Sequence, residues 1–305
     1  MKVKPMRRWS WKDFWLLTMV LPGAIWLLLI RYLPMLGVVI AFKDYKAQKP
    51  NTFWNNLSKS KWVGLKNFEF LKSPSTVTMI RNTLVYNGVW IVLVLVLAVT
   101  LAVMMSELKN RFAAKAYQTM MFFPYFLSWV VASYFVLAFL DPTSGMIPSI
   151  QKSLGLKPTQ FYMTTTWWPL ILTICNLWKN LGYNMVLFLA ALNSIPHEIL
   201  ESAEMDGAGP VKRFFAIKLH YLSPTIFFVG IMSLINSFKI FREVYLLTGD
   251  YPNKLYFLQH FMNNSFTRLD YSKLSAGAIV MCVVMVIIVG GLFFAESRFD
   301  KDVEE

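Results

Sequence analysis

"ESAEMDGAGPVKRFFAIKLHYLSP" (Glu201–Pro224) is a charged, glycine-containing interlude between two almost continuously apolar runs. Its surroundings decide the fold. Val85–Met105, Gln118–Leu140 and Leu274–Ala295 contain no charged residue. A helix needs about 20 residues to cross a hydrocarbon core of about 30 Å, and each run is long enough. With no water in that core, backbone groups must pair within the segment, so these runs are expected to be helices. A helix buried in a soluble protein seldom exceeds about 14 residues. Of the 305 residues, 56% are hydrophobic and 15% charged, against about 25% charged in soluble domains. The chain reads as an all-α, polytopic membrane protein.

Six spans are expected, over residues 14–40, 83–105, 118–140, 168–192, 225–247 and 274–295, in a single membrane domain covering 1–305. The fourth contains Lys179, and the fifth contains Lys239, Arg242 and Glu243. The basic N-terminal stretch also resembles the start of a secretory signal. The apolar run behind it, Phe14–Ile40, is too long for a signal core and lacks a small-x-small site, so it is expected to be a retained first span. A net charge of +13 would suggest nucleic acid in a soluble protein. Here the basic residues flank spans, where they meet anionic headgroups. Cys175 and Cys282 both fall inside spans and imply no disulfide framework. Basic residues tie between the two sides of the membrane. The cluster before the first span favours a cytoplasmic N-terminus. With six spans, both termini and the Glu201 loop then share the cytoplasmic side.

Within the loop, residues 193–224, Ser194 and Pro196 give a helix start, with Ser194 as the expected cap. Asp206-Gly207 gives a turn. Val211, Phe214, Phe215, Leu219 and Leu222 recur with helical spacing, predicting one face of a second short helix. The loop is thus expected to be two short helices joined at a glycine turn.

The spacing of this loop resembles that of permease subunits of bacterial ATP-binding cassette importers. Their pattern is E-A-A, three residues, G, nine residues, I-x-L-P. Here Glu201-Ser202-Ala203 is followed by Gly207, and then by Ile217 and Leu219. The longer form in carbohydrate-uptake permeases is matched by Ile195-Pro196, Glu198, Glu201 and Asp206-Gly207-Ala208. Ser202 replaces the first alanine, and His220 stands where the family has proline, a proline arriving only at Pro224. "RYLPMLGVVIAFKDY" (31–45), "VGLKNFEFL" (63–71) and "FREVYLLTGDYP" (241–252) are similar to other segments of oligosaccharide- and polysaccharide-type permeases.

The resemblance implies a heterodimer with a second permease, two cytoplasmic ATPase subunits that bind ATP and Mg, and an extracytoplasmic solute-binding protein. It assigns ATPase coupling to Glu198, Glu201, Ala203, Asp206, Gly207, Ala208, Ile217 and Leu219. The first short helix would be the coupling helix, with Glu201 paired to a basic group of the ATPase. No cofactor is expected in this chain, which has no G-x4-G-K-[ST] phosphate loop. His197, His220 and His260 show no metal-ligand spacing.

Intramembrane polar groups usually face protein or a water-filled path. Asn176, Lys179, Asn180, Tyr183 and Asn184 fall largely on one face of the fourth span. Asn236, Lys239 and Glu243 share a face of the fifth, with Arg242 beside it. Amide and charged hydrogen-bonders next to aromatic surface suit a sugar, so these residues are the expected substrate pathway. The competing role for them is to bridge helices. The expected function is import of a sugar or oligosaccharide. A polyol or glycerol phosphodiester fits the same architecture. A membrane enzyme or scaffold would need catalytic groups, and Asp141, Asp250 and Asp270 sit in separate loops.

Overall fold

The computed structural model describes residues 11–46, 52–237, 242–248 and 258–304. It is helical almost throughout. In chain order come α1 (Trp11–Leu27), β1 (Lys43–Asp44), α2 (Phe53–Lys59), β2 (Lys61–Trp62), α3 (Pro74–Ser106), α4 (Arg111–Phe126), α5 (Trp129–Leu140), α6 (Met146–Ser153), α7 (Trp168–Leu192), α8 (His197–Met205), α9 (Pro210–Arg213), α10 (Leu219–Ser237), α11 (Arg242–Thr248), α12 (Leu258–Thr267) and α13 (Tyr271–Glu304). Chain contacts divide the molecule into two compact units. One comprises residues 1–70 and 264–280, the other 71–263 and 281–305.

In the first unit, α1 passes through a π turn (Leu28–Tyr32) into a 3-10 segment, Leu33–Phe42. β1 and β2 form a short antiparallel ladder, with Lys43 opposite Trp62. Phe42 stacks on Trp62 at 5.8 Å. Asn67 Nδ2 donates to the carbonyls of Ala41 and Lys43, both at 2.9 Å. Ser272 Oγ donates to the Lys43 carbonyl and accepts from the Tyr45 N–H. These bonds tie the segment after the first span to the start of α13.

The second unit is built around α7. Nine of its residues are buried, from Trp168 through Lys179 and Gly182 to Leu192. Ala98, Val99 and Ala102 of α3 pack with Met185, Phe188 and Leu192 of α7 and with Leu222 and Val229 of α10. A second cluster joins Trp90 to Trp168, Leu172, Cys175, Val244 and Leu247. α4 crosses α7 at Gly182, where a Cβ would lie 1.9 Å from the Met121 carbonyl oxygen. Only glycine permits that backbone approach.

Four helical stretches are long and apolar enough to span a membrane: Phe14–Phe42, Pro74–Ser106, Pro210–Asn236 and Tyr271–Phe294. They contain or overlap four of the six expected spans. The expected span 168–192 is α7. It has the length, but its asparagines and Lys179 lower its hydropathy, as a helix enclosed by other helices can tolerate. The expected span 118–140 is not one helix. It is the end of α4 and all of α5, bent by 99° at a break after Phe126. The reason is local: Ser128 Oγ accepts from the Val131 N–H at 3.2 Å and so caps a new helix. Pro124 lies just before the break and lacks an N–H to donate.

The loop 193–224 also differs from two short helices. α8 is short, but α9 runs through a π turn (Phe214–Lys218) directly into α10. The π turn inserts an extra residue and rotates the helix beyond it, which divides the expected apolar face. Phe214 and Ile217 pack inward and Leu222 is buried, while Val211 and Phe215 are exposed. Pro224 lies inside α10, so no turn occurs where the family has its proline. Ser194 does not cap α8 either. Its Oγ donates back to the Ala191 carbonyl, and Pro196 occupies the cap position.

Candidate functional site

A cavity of about 820 Å³ opens in the second unit, among α3, the α4–α5 break, α7 and α10. It is lined by Asn176, Lys179, Asn180, Tyr183 and Asn184 from α7 and by Asn236 from α10. The structure thus brings together six of the nine expected pathway residues. Lys239 lies outside the described residues, as do the side chains of Arg242 and Glu243.

The asparagines share one device. Asn180 Nδ2 donates to the Asn176 carbonyl at 3.0 Å, Asn184 to Asn180 at 2.9 Å and Asn236 to Met232 at 2.9 Å. Each amide is oriented by the carbonyl one turn earlier on its own helix. An amide has a second N–H and an oxygen beyond that bond. Aromatic surface lies beside them. Tyr125 and Tyr183 stack at 4.5 Å with planes 11° apart, and Phe122 continues the stack.

Lys179 has a second task. Its residue is 5% exposed, and its Nζ donates to the carbonyls of Pro124 (3.1 Å), Tyr125 (3.4 Å) and Leu127. These are carbonyls at the end of α4; Pro124 also accepts from the Leu127 N–H at 3.2 Å, while the bend takes the next helical donors away from Tyr125 and Leu127. The Trp129 ring lies 5.3 Å from the same ammonium. Lys179 therefore bridges helices as well as lining the cavity.

Sequence reading missed Asn87 and Trp90 of α3, and Tyr125, Ser128 and Trp129 at the break, all of which line the cavity. Asn87 was masked by the absence of charge in its span. The signal at the break was Pro124 followed by Ser128-Trp129, a helix end and a new cap.

At the other end of α7, α8 presents the expected coupling residues. Glu198, Glu201, Asp206 and Gly207 are exposed, while Ala203 and Ala208 are half-buried. Glu198, Glu201 and Met205 share a face at spacings of three and four, and Met205 is 88% exposed. Leu200 packs inward on the core. The turn closes as a Schellman motif: the Ala208 N–H reaches the Ala203 carbonyl at 2.9 Å and the Gly207 N–H reaches Glu204 at 3.0 Å. Gly207 has φ +74°, the left-handed conformation that glycine adopts without strain. Ile217 and Leu219 are half-buried, in the π turn and at the start of α10; Ile217 packs on the core. They seat the segment in the membrane unit.

The carboxylates considered for catalysis are engaged locally. Asp141 Oδ1 accepts from Thr143 Oγ1 (2.6 Å), both the N–H and the Oγ of Ser144, and the Thr143 N–H. The Thr143 hydroxyl bond, with the others, holds this carboxyl well below the usual carboxylate range. Asp270 pairs with Lys273 at 2.9 Å. Asp250 lies outside the described residues. Among the described residues, no group of three or more His, Cys, Asp or Glu side chains could hold a metal ion.

The chain belongs to the family of binding-protein-dependent transport system inner membrane components, which matches residues 95–303. It is a permease subunit of the ATP-binding cassette importer class. Its relatives include protein LplB of Bacillus subtilis, 30% identical over 95% of this chain and 91% of that one. A second is the sn-glycerol-3-phosphate transport system permease protein UgpA of Yersinia enterocolitica, 29% identical over 90% of this chain and 94% of that one. A crystal structure of a bacterial transporter that imports the acidic polysaccharide alginate matches with a TM-score of 0.82 at 27% identity, over 94% of this chain and 96% of its own. The same transporter in complex with an alginate pentasaccharide-bound periplasmic protein matches equally.

Proposed function

We propose that the chain forms half of a translocation pathway for an oligosaccharide, delivered by an extracytoplasmic solute-binding protein. The observation that carries this reading is the cavity, where backbone-oriented asparagines adjoin the Tyr125–Tyr183 stack. Sugar hydroxyls take hydrogen bonds from amides, and apolar ring faces pack on aromatic surface. The alginate transporter supports the polysaccharide reading and the binding-protein partner. A second permease supplies the other half of the pathway. Two partner ATPases bind ATP and Mg, and α8 seats on one of them with Glu201 facing a basic group. Both termini and α8 then face the cytoplasm. The UgpA relative favours sn-glycerol 3-phosphate as the competing solute.

The test uses the reconstituted complex with its binding protein and a panel of alginate oligomers, neutral oligosaccharides and sn-glycerol 3-phosphate. Uptake of one saccharide class is expected. Asn180→Ala with Asn184→Ala should lower that uptake by about tenfold, the equivalent of about 1.4 kcal/mol of lost hydrogen bonding. Uptake of sn-glycerol 3-phosphate alone would overturn the saccharide assignment.

A further inference from the structure

The C-terminal end of α3 carries the wrong charge for a helix C-terminus. Its C-cap is Glu107, and its last turn has no basic residue. A carboxylate there faces the negative end of the helix dipole, where a cation would be favoured. The compensating cation comes from 111 residues away: Lys218 Nζ pairs with Glu107 Oε1. Lys218 is 7% exposed and closes the π turn between α9 and α10. A second ion pair, Arg213 to Glu204 at 2.8 Å, ties α8 to α9 across the Gly207 turn. The two pairs form a chain from α8 through the π turn to α3.

The apolar contacts in this region carry no directional bond. Leu200, Phe214 and Ile217 pack on the cluster that includes Ala98, Val99 and Ala102, and apolar burial is non-directional. A hydrogen-bonded ion pair is directional, and here Lys218 is its buried partner while the Glu107 side chain is 54% exposed; a pair anchored by one buried charge can specify one arrangement where packing alone would slide. α3 is unbroken for 33 residues and lines the cavity at Asn87, Trp90 and Val94. At 1.5 Å per residue, Glu107 lies about 20–30 Å along the same helix from those positions.

We propose that the Glu107–Lys218 pair is a coupling strut. It locks α3 to the π turn, so that displacement of α8 reaches the cavity wall instead of dissipating as sliding between helices. Both are positioning residues. The proposal rests on the reading of α8 as the contact to a partner ATPase.

The experiment measures uptake per ATP hydrolysed in proteoliposomes holding the whole complex and its binding protein. The variants are Glu107→Gln, Lys218→Met, the pair of these together, and the swap Glu107→Lys with Lys218→Glu. Glu107→Gln leaves the buried Lys218 charge unpaired and can weaken folding, so the double neutral variant carries the test. It should assemble and hydrolyse ATP while uptake per ATP falls by at least about fivefold, the scale of an ordinary inter-site coupling. The swap should recover to within about twofold. Glu201→Ala, run alongside, separates the two readings. Lost coupling in Glu201→Ala with normal coupling in the double neutral variant overturns the strut alone. Normal coupling in both overturns the ATPase contact and the strut with it.

Discussion

Lys179 is a charged side chain within a span, and three backbone carbonyls surround its ammonium. Mid-membrane charge carries a penalty of about 2.5–3.5 kcal/mol on insertion scales, and the carbonyls at the α4–α5 break offset it by accepting charge-assisted bonds. Lys179→Met should therefore destabilise the protein, because the Tyr125 and Leu127 carbonyls lose their donor, at about 1–3 kcal/mol each, while Pro124 keeps the Leu127 N–H. Thermal unfolding in detergent should shift downward, and Lys179→Arg should recover part of the loss. Unchanged stability with abolished uptake would instead make Lys179 a pure substrate ligand. From the sequence, Lys179 was expected to line the substrate pathway, with bridging of helices as the competing role. The sequence did not reveal that the partner was backbone, because the break that frees those carbonyls is itself a tertiary feature.

At the level of elements, α4 and α7 touch through their backbones at Gly182. Gly182→Ala places a methyl on the Met121 carbonyl, and neither backbone can yield without moving a helix. Overpacking of this kind costs about 1–3 kcal/mol or more. The variant should assemble poorly, measured as a drop in the monodisperse complex on size-exclusion chromatography; assembly at the wild-type level would contradict the close crossing. Four of the spans were legible from apolar runs, though the expected 225–247 shares only its first part with the stretch Pro210–Asn236, and α7 was legible from its length and one-sided polarity. The bend at residues 127–128 was not, because apolar composition continues across it and only Pro124 and Ser128 mark the change. The face of α9–α10 was misread for a related reason. Helical periodicity assumes 3.6 residues per turn, and the π turn at Phe214–Lys218 breaks that count.

At the scale of the whole molecule, two features lie on α7 and the loop after it. The cavity is lined from Asn176 to Asn184, and α8 begins at His197. Packing of Met185, Phe188 and Leu192 against α3 and α10 joins the two regions through one buried cluster. The glycine turn was legible because Asp206-Gly207 has a local backbone requirement; the coupling role proposed for it comes from the motif spacing. The backbone at His220 was not legible, because it depended on the helix running unbroken through Pro224.

In the proposed function, α8 carries a partner's ATP cycle into this cavity. Solute-stimulated ATPase activity of the reconstituted complex tests it most directly, with Glu201→Ala removing the exposed carboxylate and Gly207→Val straining the left-handed turn. Basal hydrolysis should persist while stimulation by loaded binding protein falls at least about tenfold in each variant, about 1.4 kcal/mol of coupling. Stimulation that survives both changes would contradict it.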